Sequence, residues 1–175
     1  AKLIVAPSDH LIYDVHNFID CINLAFDYAD SDHLISIGVE PNRPDTNLSY
    51  VQIIENESPI KKVKTFVDKP DEDFAKTFIQ SGDFFWNTGI LIWSTKAILE
   101  AFESYRPSMI DTLKKYFEQP LRNPQVLKPI YTTLDVISIN NAILEKAKNV
   151  YVIPSEIGWN DMGTWKFIHD HTPTD

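Results

Sequence analysis

Short apolar runs alternate with longer amphipathic segments along this chain, the pattern of an α/β protein. Residues 2–6 read as a buried strand that runs into the polar loop Pro7-Ser8-Asp9-His10. Over 14–29, Val15, Phe18, Ile19, Ile22, Ala25, Phe26 and Ala29 recur at spacings of three and four, which places them on one helix face. Strands are predicted over 33–39, 50–54 and 60–67, with a loop rich in Pro, Asn and Asp over 41–47. In the last of these strands Val63, Thr65 and Val67 alternate with Lys62, Lys64 and Phe66, so both faces should be partly covered. Asp71 is placed to cap a helix running to Gln80, with Gly82 just past its end. A strand over 90–93 and helices over 95–105 and 108–117 follow. Residues 119–129 carry three prolines and read as irregular. A short helix over 138–147, a strand over 150–153, a loop over 158–163 and a closing helix over 164–169 complete the pattern.

Composition narrows the class. With 175 residues, 43% of them hydrophobic, the chain can bury the core of one globular domain. No run approaches the roughly 18 consecutive apolar residues of a membrane helix. No basic-then-apolar leader opens the sequence. The single cysteine, Cys21, falls on the apolar face of its helix and reads as a buried, inert thiol. These features lead us to expect a reducing, cytoplasmic setting. The net charge of -9 argues against non-specific nucleic-acid binding. It is compatible with phosphate ligands when a divalent cation stands between them and carboxylates. A strand as apolar as 2–6 needs neighbours on both sides, so the chain reads as a piece of something longer.

Four polar clusters carry candidate chemistry, each read as lying at a strand end, where ligands bind in open α/β sheets. In Pro7-Ser8-Asp9-His10, Asp9 can project as a metal ligand or cap the following turn. In Phe66-Val67-Asp68-Lys69-Pro70, a carboxylate and an ammonium fixed by proline can bind hydroxyls and a phosphate, or form a surface ion pair. In Phe84-Phe85-Trp86-Asn87-Thr88-Gly89, before the strand over 90–93, Asn87 can donate to and accept from hydroxyls while Gly89 lets the backbone approach a ligand. Aromatic core followed by a turn is the alternative there. In the loop from Gly158 to Trp165, Asp161 is a second candidate metal ligand or the cap of the last helix.

In this order and at these spacings the four clusters resemble the sugar nucleotidyltransferases, specifically the mannose-1-phosphate guanylyltransferases. Those enzymes show Pro-Ala-Asp-His, Phe-Val-Glu-Lys-Pro, Trp-Asn-Ser-Gly and Gly-Trp-Ser-Asp-Val-Gly-Ser-Trp. Here the segments read PSDH (7–10), FVDKP (66–70), WNTG (86–89) and GWNDMGTW (158–165), and the likeness runs to about residue 169. The resemblance implies a Rossmann-like nucleotidyltransferase fold, a mixed, mostly parallel sheet flanked by helices, of which only the second half is present. Residues 1–170 would form the sugar-phosphate-binding part of one catalytic domain and 171–175 a tail. Asp9 and Asp161 match the carboxylates that hold a catalytic Mg²⁺. Asp68 matches a glutamate that binds sugar hydroxyls, Lys69 the lysine that holds the sugar phosphate, and Asn87 an asparagine that contacts the sugar. Lys69, Asp9 and Asp161 are thus the expected catalytic residues, with Asp68, Lys69, Asn87 and Gly89 binding substrate. The implied reaction is attack by a phosphate oxygen of α-D-mannose 1-phosphate on the α-phosphorus of GTP, giving GDP-mannose and pyrophosphate without a covalent enzyme intermediate.

Several segments depart from the resemblance. The family opens with a glycine-rich, arginine-containing loop that cradles the triphosphate, and no such loop occurs in these residues, so the chain alone is expected to be inactive. Asp68 is one methylene shorter than glutamate. A Thr-Gly-Tyr-Gly-Tyr-Ile segment is here Thr46-Asn47-Leu48-Ser49-Tyr50-Val51, and Ser-Ile-Asp-Tyr-Ala-Val-Met-Glu is here Ser138-Ile139-Asn140-Asn141-Ala142-Ile143-Leu144-Glu145. Expected partners are GTP, mannose 1-phosphate and the missing N-terminal half of the chain, with a homodimer as the other way to cover the apolar face around 2–6. Nucleic acid and membrane are not expected. Three further readings stand beside this one: a divergent, non-catalytic sugar-phosphate-binding module, a transferase for a different sugar 1-phosphate, and an α/β domain whose clusters are turns and caps.

Overall fold

The computed structural model describes residues 1–30, 32–118 and 124–163. Strands β1 (Lys2–Val5), β2 (His10–Ile12), β3 (Leu34–Val39), β4 (Tyr50–Ile54), β5 (Lys61–Val67), β6 (Phe84–Ser94), β7 (Val150–Pro154) and β8 (Trp159–Asp161) alternate with helices α1 (Val15–Tyr28), α2 (Glu72–Ser81), α3 (Thr95–Tyr105), α4 (Pro107–Phe117) and α5 (Pro124–Tyr131), and a π-helix spans Asn140–Leu144. The helix boundaries follow local chemistry. Asp14 caps α1 by accepting from the Asn17 amide at 3.0 Å. Asp71 caps α2 through the Phe74 amide at 2.9 Å, and Gly82 ends it in the left-handed region at φ 75°. No helix among the described residues is long and apolar enough to cross a membrane.

Six strands form one sheet in the order β1-β6-β3-β7-β5-β4, and β4 also pairs with β6. The strands β6, β3, β7, β5 and β4 therefore close on themselves, while β1 has a single neighbour. Period-two alternation then sorts the core into two layers. Ile35, Ile90 and Ile92 face one side and pack with Ala25 and Ala29 of α1. Leu34, Leu91 and Trp93 face the other and pack with Ala97, Ile98 and Ala101 of α3 and with Ala142, Ile143 and Leu144 of the π-helix. The result is an α/β sheet with helices on both faces. Cys21 is half-buried against the first layer, and burial pushes its thiol upward, against a hydrogen bond with Ser155.

Several expectations are corrected. The sheet is mixed, but only β3–β7 is parallel, and the other pairings are antiparallel. The cause is β6, an 11-residue strand that runs against β1, β3 and β4 along its length. β1 is exposed rather than buried: Leu3, Ile4 and Val5 are 40%, 43% and 48% accessible. The 84–89 segment lies inside β6, not in a turn before it, because Gly89 at φ 73° absorbs an irregularity in the ladder with β3. Part of the stretch read as irregular is α5, since Pro124 sits in the first turn, where an amide proton is not required, although Pro129 lies further along it. The helix read over 138–147 is a π-helix, in which the Glu145 amide reaches the Asn140 carbonyl at 3.0 Å. The segment 7–10 leads into the strand β2 at His10, and 158–163 contains its partner β8. The closing helix over 164–169 and the tail over 171–175 lie outside the described residues.

Candidate functional site

The first part of the site is built by two very short strands. β2 and β8 pair antiparallel, with His10 opposite Asp161 and Ile12 opposite Trp159. The Met162 amide donates to the Asp9 carbonyl at 3.0 Å, which extends this contact to the residue before β2. Asp161 Oδ1 accepts from the Gly163 amide at 2.7 Å. A Cβ placed on Gly163 would lie 2.9 Å from Asp161 Oδ1 and 3.5 Å from Asp9 Oδ2. The two carboxylates, from opposite ends of the chain, thus converge on one side chain-free position. Trp159 Nε1 donates to His10 Nδ1 at 3.0 Å, and the rings meet edge to face. This bond places the imidazole proton on Nε2. Burial holds His10 below its usual value, while the charges of Asp161 and Asp9 pull it the other way.

The donor set fits a hard divalent cation. Among the described residues no group of three or more His, Cys, Asp or Glu side chains forms a closed metal cage. Two carboxylate oxygens with an open side suit Mg²⁺, which takes one or two carboxylates and completes its shell with water and substrate phosphates.

The second part of the site is a line of hydrogen bonds. β5 ends at Val67, and Asp68 and Lys69 follow it, both exposed. The Asp68 carboxylate is held by the Ser49 hydroxyl, which donates to Oδ1 at 2.6 Å, and not by its neighbour Lys69. Lys69 has φ 46° and is the sole non-glycine in the left-handed region among the described residues. A residue before proline ordinarily stays extended. The left-handed backbone at Lys69 costs about 1–2 kcal/mol, and such strain clusters at functional sites.

Asn87, 7% accessible, anchors the other end of the line from within β6. Its Oδ1 accepts from the Ser36 hydroxyl at 2.6 Å and the Gly89 amide at 3.2 Å. Its Nδ2 faces Asn140 Oδ1 at 3.4 Å, and Asn140 Nδ2 faces Ser49 Oγ at 3.4 Å. The Asn87 amide also donates to the Ser49 carbonyl at 2.8 Å. Gly89 brings β6 against the first cluster, since a Cβ there would stand 3.4 Å from Pro7 Cγ. Trp86 and Trp159 join the third and fourth clusters with ring centroids 6.4 Å apart, and the Arg43 guanidinium lies 4.8 Å from the Trp86 ring centre.

The structure therefore groups Asp9 with Asp161, and Asp68 with Asn87 through two intermediates, and it seats Lys69 beside Asp68. Sequence reasoning missed Ser36, the bond between His10 and Trp159, and the linking role of Ser49 and Asn140. Ser36 had a legible signal, a hydroxyl inside the apolar run Leu34–Val39.

Comparison with known proteins places this geometry in context. The family model for nucleotidyl transferases matches residues 1–175. The chain is 29% identical over 174 residues to a mannose-1-phosphate guanylyltransferase of Escherichia coli, covering 95% of this chain and 38% of that protein. It is 30% identical over 176 residues to the xanthan biosynthesis protein XanB of Xanthomonas campestris, covering 99% of this chain and again 38% of the relative. Among solved structures, a mannose-1-phosphate geranyltransferase from Thermus thermophilus superposes with a TM-score of 0.85 at 27% identity, over 94% of this chain and 48% of that one. A mannose-6-phosphate isomerase from Helicobacter pylori gives 0.79 at 26% identity, over 91% of this chain and 64% of the other. The chain thus spans well under half the length of these curated relatives. With the family match running from its first residue to its last, the chain belongs to the nucleotidyl transferase family.

Proposed function

We propose that the intact protein is a mannose-1-phosphate guanylyltransferase and that this chain supplies its sugar-phosphate side. The observation that carries the reading is the convergence of Asp9 and Asp161 beside Gly163, joined to the Asn87 cluster through the Gly89–Pro7 and Trp86–Trp159 contacts. The relatives at 27–29% identity that are named mannose-1-phosphate guanylyltransferase support the same sugar phosphate and a guanine nucleotide.

Asp9 and Asp161 would hold Mg²⁺, which when bound supplies charge neutralisation and polarisation at the transferred phosphoryl group. The Lys69 ammonium neutralises the sugar phosphate and keeps its attacking oxygen in place. Asp68 accepts from a ring hydroxyl through its free oxygen, with a bridging water where the shorter side chain falls short. Asn87 donates from Nδ2, because its oxygen is already occupied twice. The new bond joins the sugar-phosphate oxygen to the α-phosphorus of GTP, and the bond broken releases pyrophosphate. Assay of the intact protein for Mg²⁺-dependent GDP-mannose formation tests this. Asp161→Ala is expected to abolish product, and full activity in that variant would remove Asp161 from the mechanism.

A second reading is a module that binds a sugar phosphate without transferring it. It is favoured by Ser49 already engaging Asp68 and by an amide, Asn140, at the place where the resemblance has a carboxylate. Calorimetric binding of mannose 1-phosphate to the intact protein without turnover would select it.

A further inference from the structure

Two of the departures from the family pattern within this chain, Ser49 and Asn140, meet. They are 91 positions apart in sequence, yet Asn140 Nδ2 faces Ser49 Oγ at 3.4 Å. Together they bridge the two side chains assigned to the sugar. We propose that Ser49 and Asn140 are a matched pair of positioning residues that couple Asp68 to Asn87 and set which hydroxyls of the sugar ring the site accepts.

The hydrogen-bond directions are fixed from the buried end outward. Asn87 Oδ1 takes two donors, Ser36 and Gly89, so its Nδ2 must face the other way. One Nδ2 proton points to Asn140 Oδ1, and that orients the Asn140 amide with Nδ2 toward Ser49. Ser49 then spends its only proton on Asp68 Oδ1, at 2.6 Å. At its two ends the line leaves open one Asn87 N–H and the Asp68 Oδ2 lone pairs, with the second Asn140 N–H between them. A donor and an acceptor, tied into one unit, match two hydroxyls of one sugar ring, of which one accepts and the other donates. The two amide links are long and the two hydroxyl links short, the state expected of a site that tightens on its ligand.

The pair is matched because neither residue works with the family's partner. An aspartate at 140 accepts but does not donate, so it would compete with Asp68 for the single Ser49 proton. It would also set a second negative charge against the first. A glycine at 49 would leave the Asn140 Nδ2 protons and Asp68 Oδ1 without the hydroxyl between them. Two backbone features hold the pair in place: the Ser49 carbonyl accepts the Asn87 amide at 2.8 Å, and Asn140 opens the π-helix.

This inference rests on the reading of Asp68 and Asn87 as sugar contacts. Its test uses the intact protein, with calorimetric binding of mannose 1-phosphate alongside separate KM values for the sugar phosphate and for GTP. Ser49→Ala, Asn140→Ala and Asn140→Asp are each expected to weaken mannose 1-phosphate about tenfold, the loss of one hydrogen bond of the line, with the KM for GTP unmoved. Ser49→Ala with Asn140→Ala should be no worse than the weaker single variant, since both break the same line. Ser49→Gly with Asn140→Asp should recover binding relative to Asn140→Asp alone. Unchanged sugar binding in every variant overturns the inference and leaves the proposed function standing, as do losses that multiply in the double variant. Equal rises in both KM values also overturn it. Failure of the unsubstituted protein to bind any sugar 1-phosphate overturns the proposed function and this inference with it.

Discussion

Gly163 has no side chain, and that keeps open the position on which the carboxylates of Asp9 and Asp161 converge. Alanine there would bring a methyl to 2.9 Å from Asp161 Oδ1, inside van der Waals contact. The expected outcome of Gly163→Ala in the intact protein is a Mg²⁺ requirement raised by at least about tenfold, the usual size of a disturbed metal shell. A Mg²⁺ titration of activity, with Mg²⁺-dependent thermal stabilisation as a second readout, checks it. At this scale the sequence supplied candidate side chains and was silent about how they are held. Asp9, Asp68, Asn87 and Asp161 stand in recognisable segments. The Ser36–Asn87 and Ser49–Asp68 bonds join residues far apart in the chain, and only the fold brings them together.

The elements with strong periodicity were legible: α1, α2, α3, β3 and β4 begin and end within a residue or two of where their patterns place them. β2 and β8 were not, because three residues are too few to show alternation and both are rich in polar groups. Some connections between elements rest on side chains that no periodicity reports. Asp83, just before β6, accepts from Ser81 Oγ and from Gln52 Nε2, both at 2.7 Å, and so ties α2 and β4 to the start of the longest strand. These bonds, Ser81 first, hold its carboxyl below the usual range. The folded state therefore binds the proton less readily than the unfolded chain. The stabilisation is present above about pH 3.9, the ordinary carboxylate value, and is lost as pH falls through the lowered folded value. Asp83→Asn is expected to be less stable than the unsubstituted chain at neutral pH and equally stable at strongly acid pH, as read by urea unfolding at both.

At the scale of the whole molecule, the closed ring of β6, β3, β7, β5 and β4 leaves β1, among the described residues, paired along one edge alone. Its side chains are exposed on both faces, which makes it a template for pairing with another strand. The 175-residue chain by itself is expected to self-associate in sedimentation, and Leu3→Lys with Val5→Lys to restore a single slow species. Charge on an edge strand is a common natural guard against such pairing. A chain that sediments as a monomer without those lysines would show that β1 is not sticky. The α/β architecture was legible from the alternation of strands and helices. The antiparallel balance of the sheet was not, because strand direction depends on which distant partners β6 meets.

The left-handed backbone of Lys69 has a consequence for how this protein can change. Glycine adopts that conformation freely, whereas lysine is there at a conformational penalty. Lys69→Gly is therefore expected to melt higher than Lys69→Ala by an amount corresponding to about 1 kcal/mol, while both lose the ammonium that the proposed function assigns to the sugar phosphate. A screen for thermal stability alone would drift toward glycine at this position and discard the ammonium. On the proposed function, lysine here is a trade-off in which stability is given up for phosphate binding.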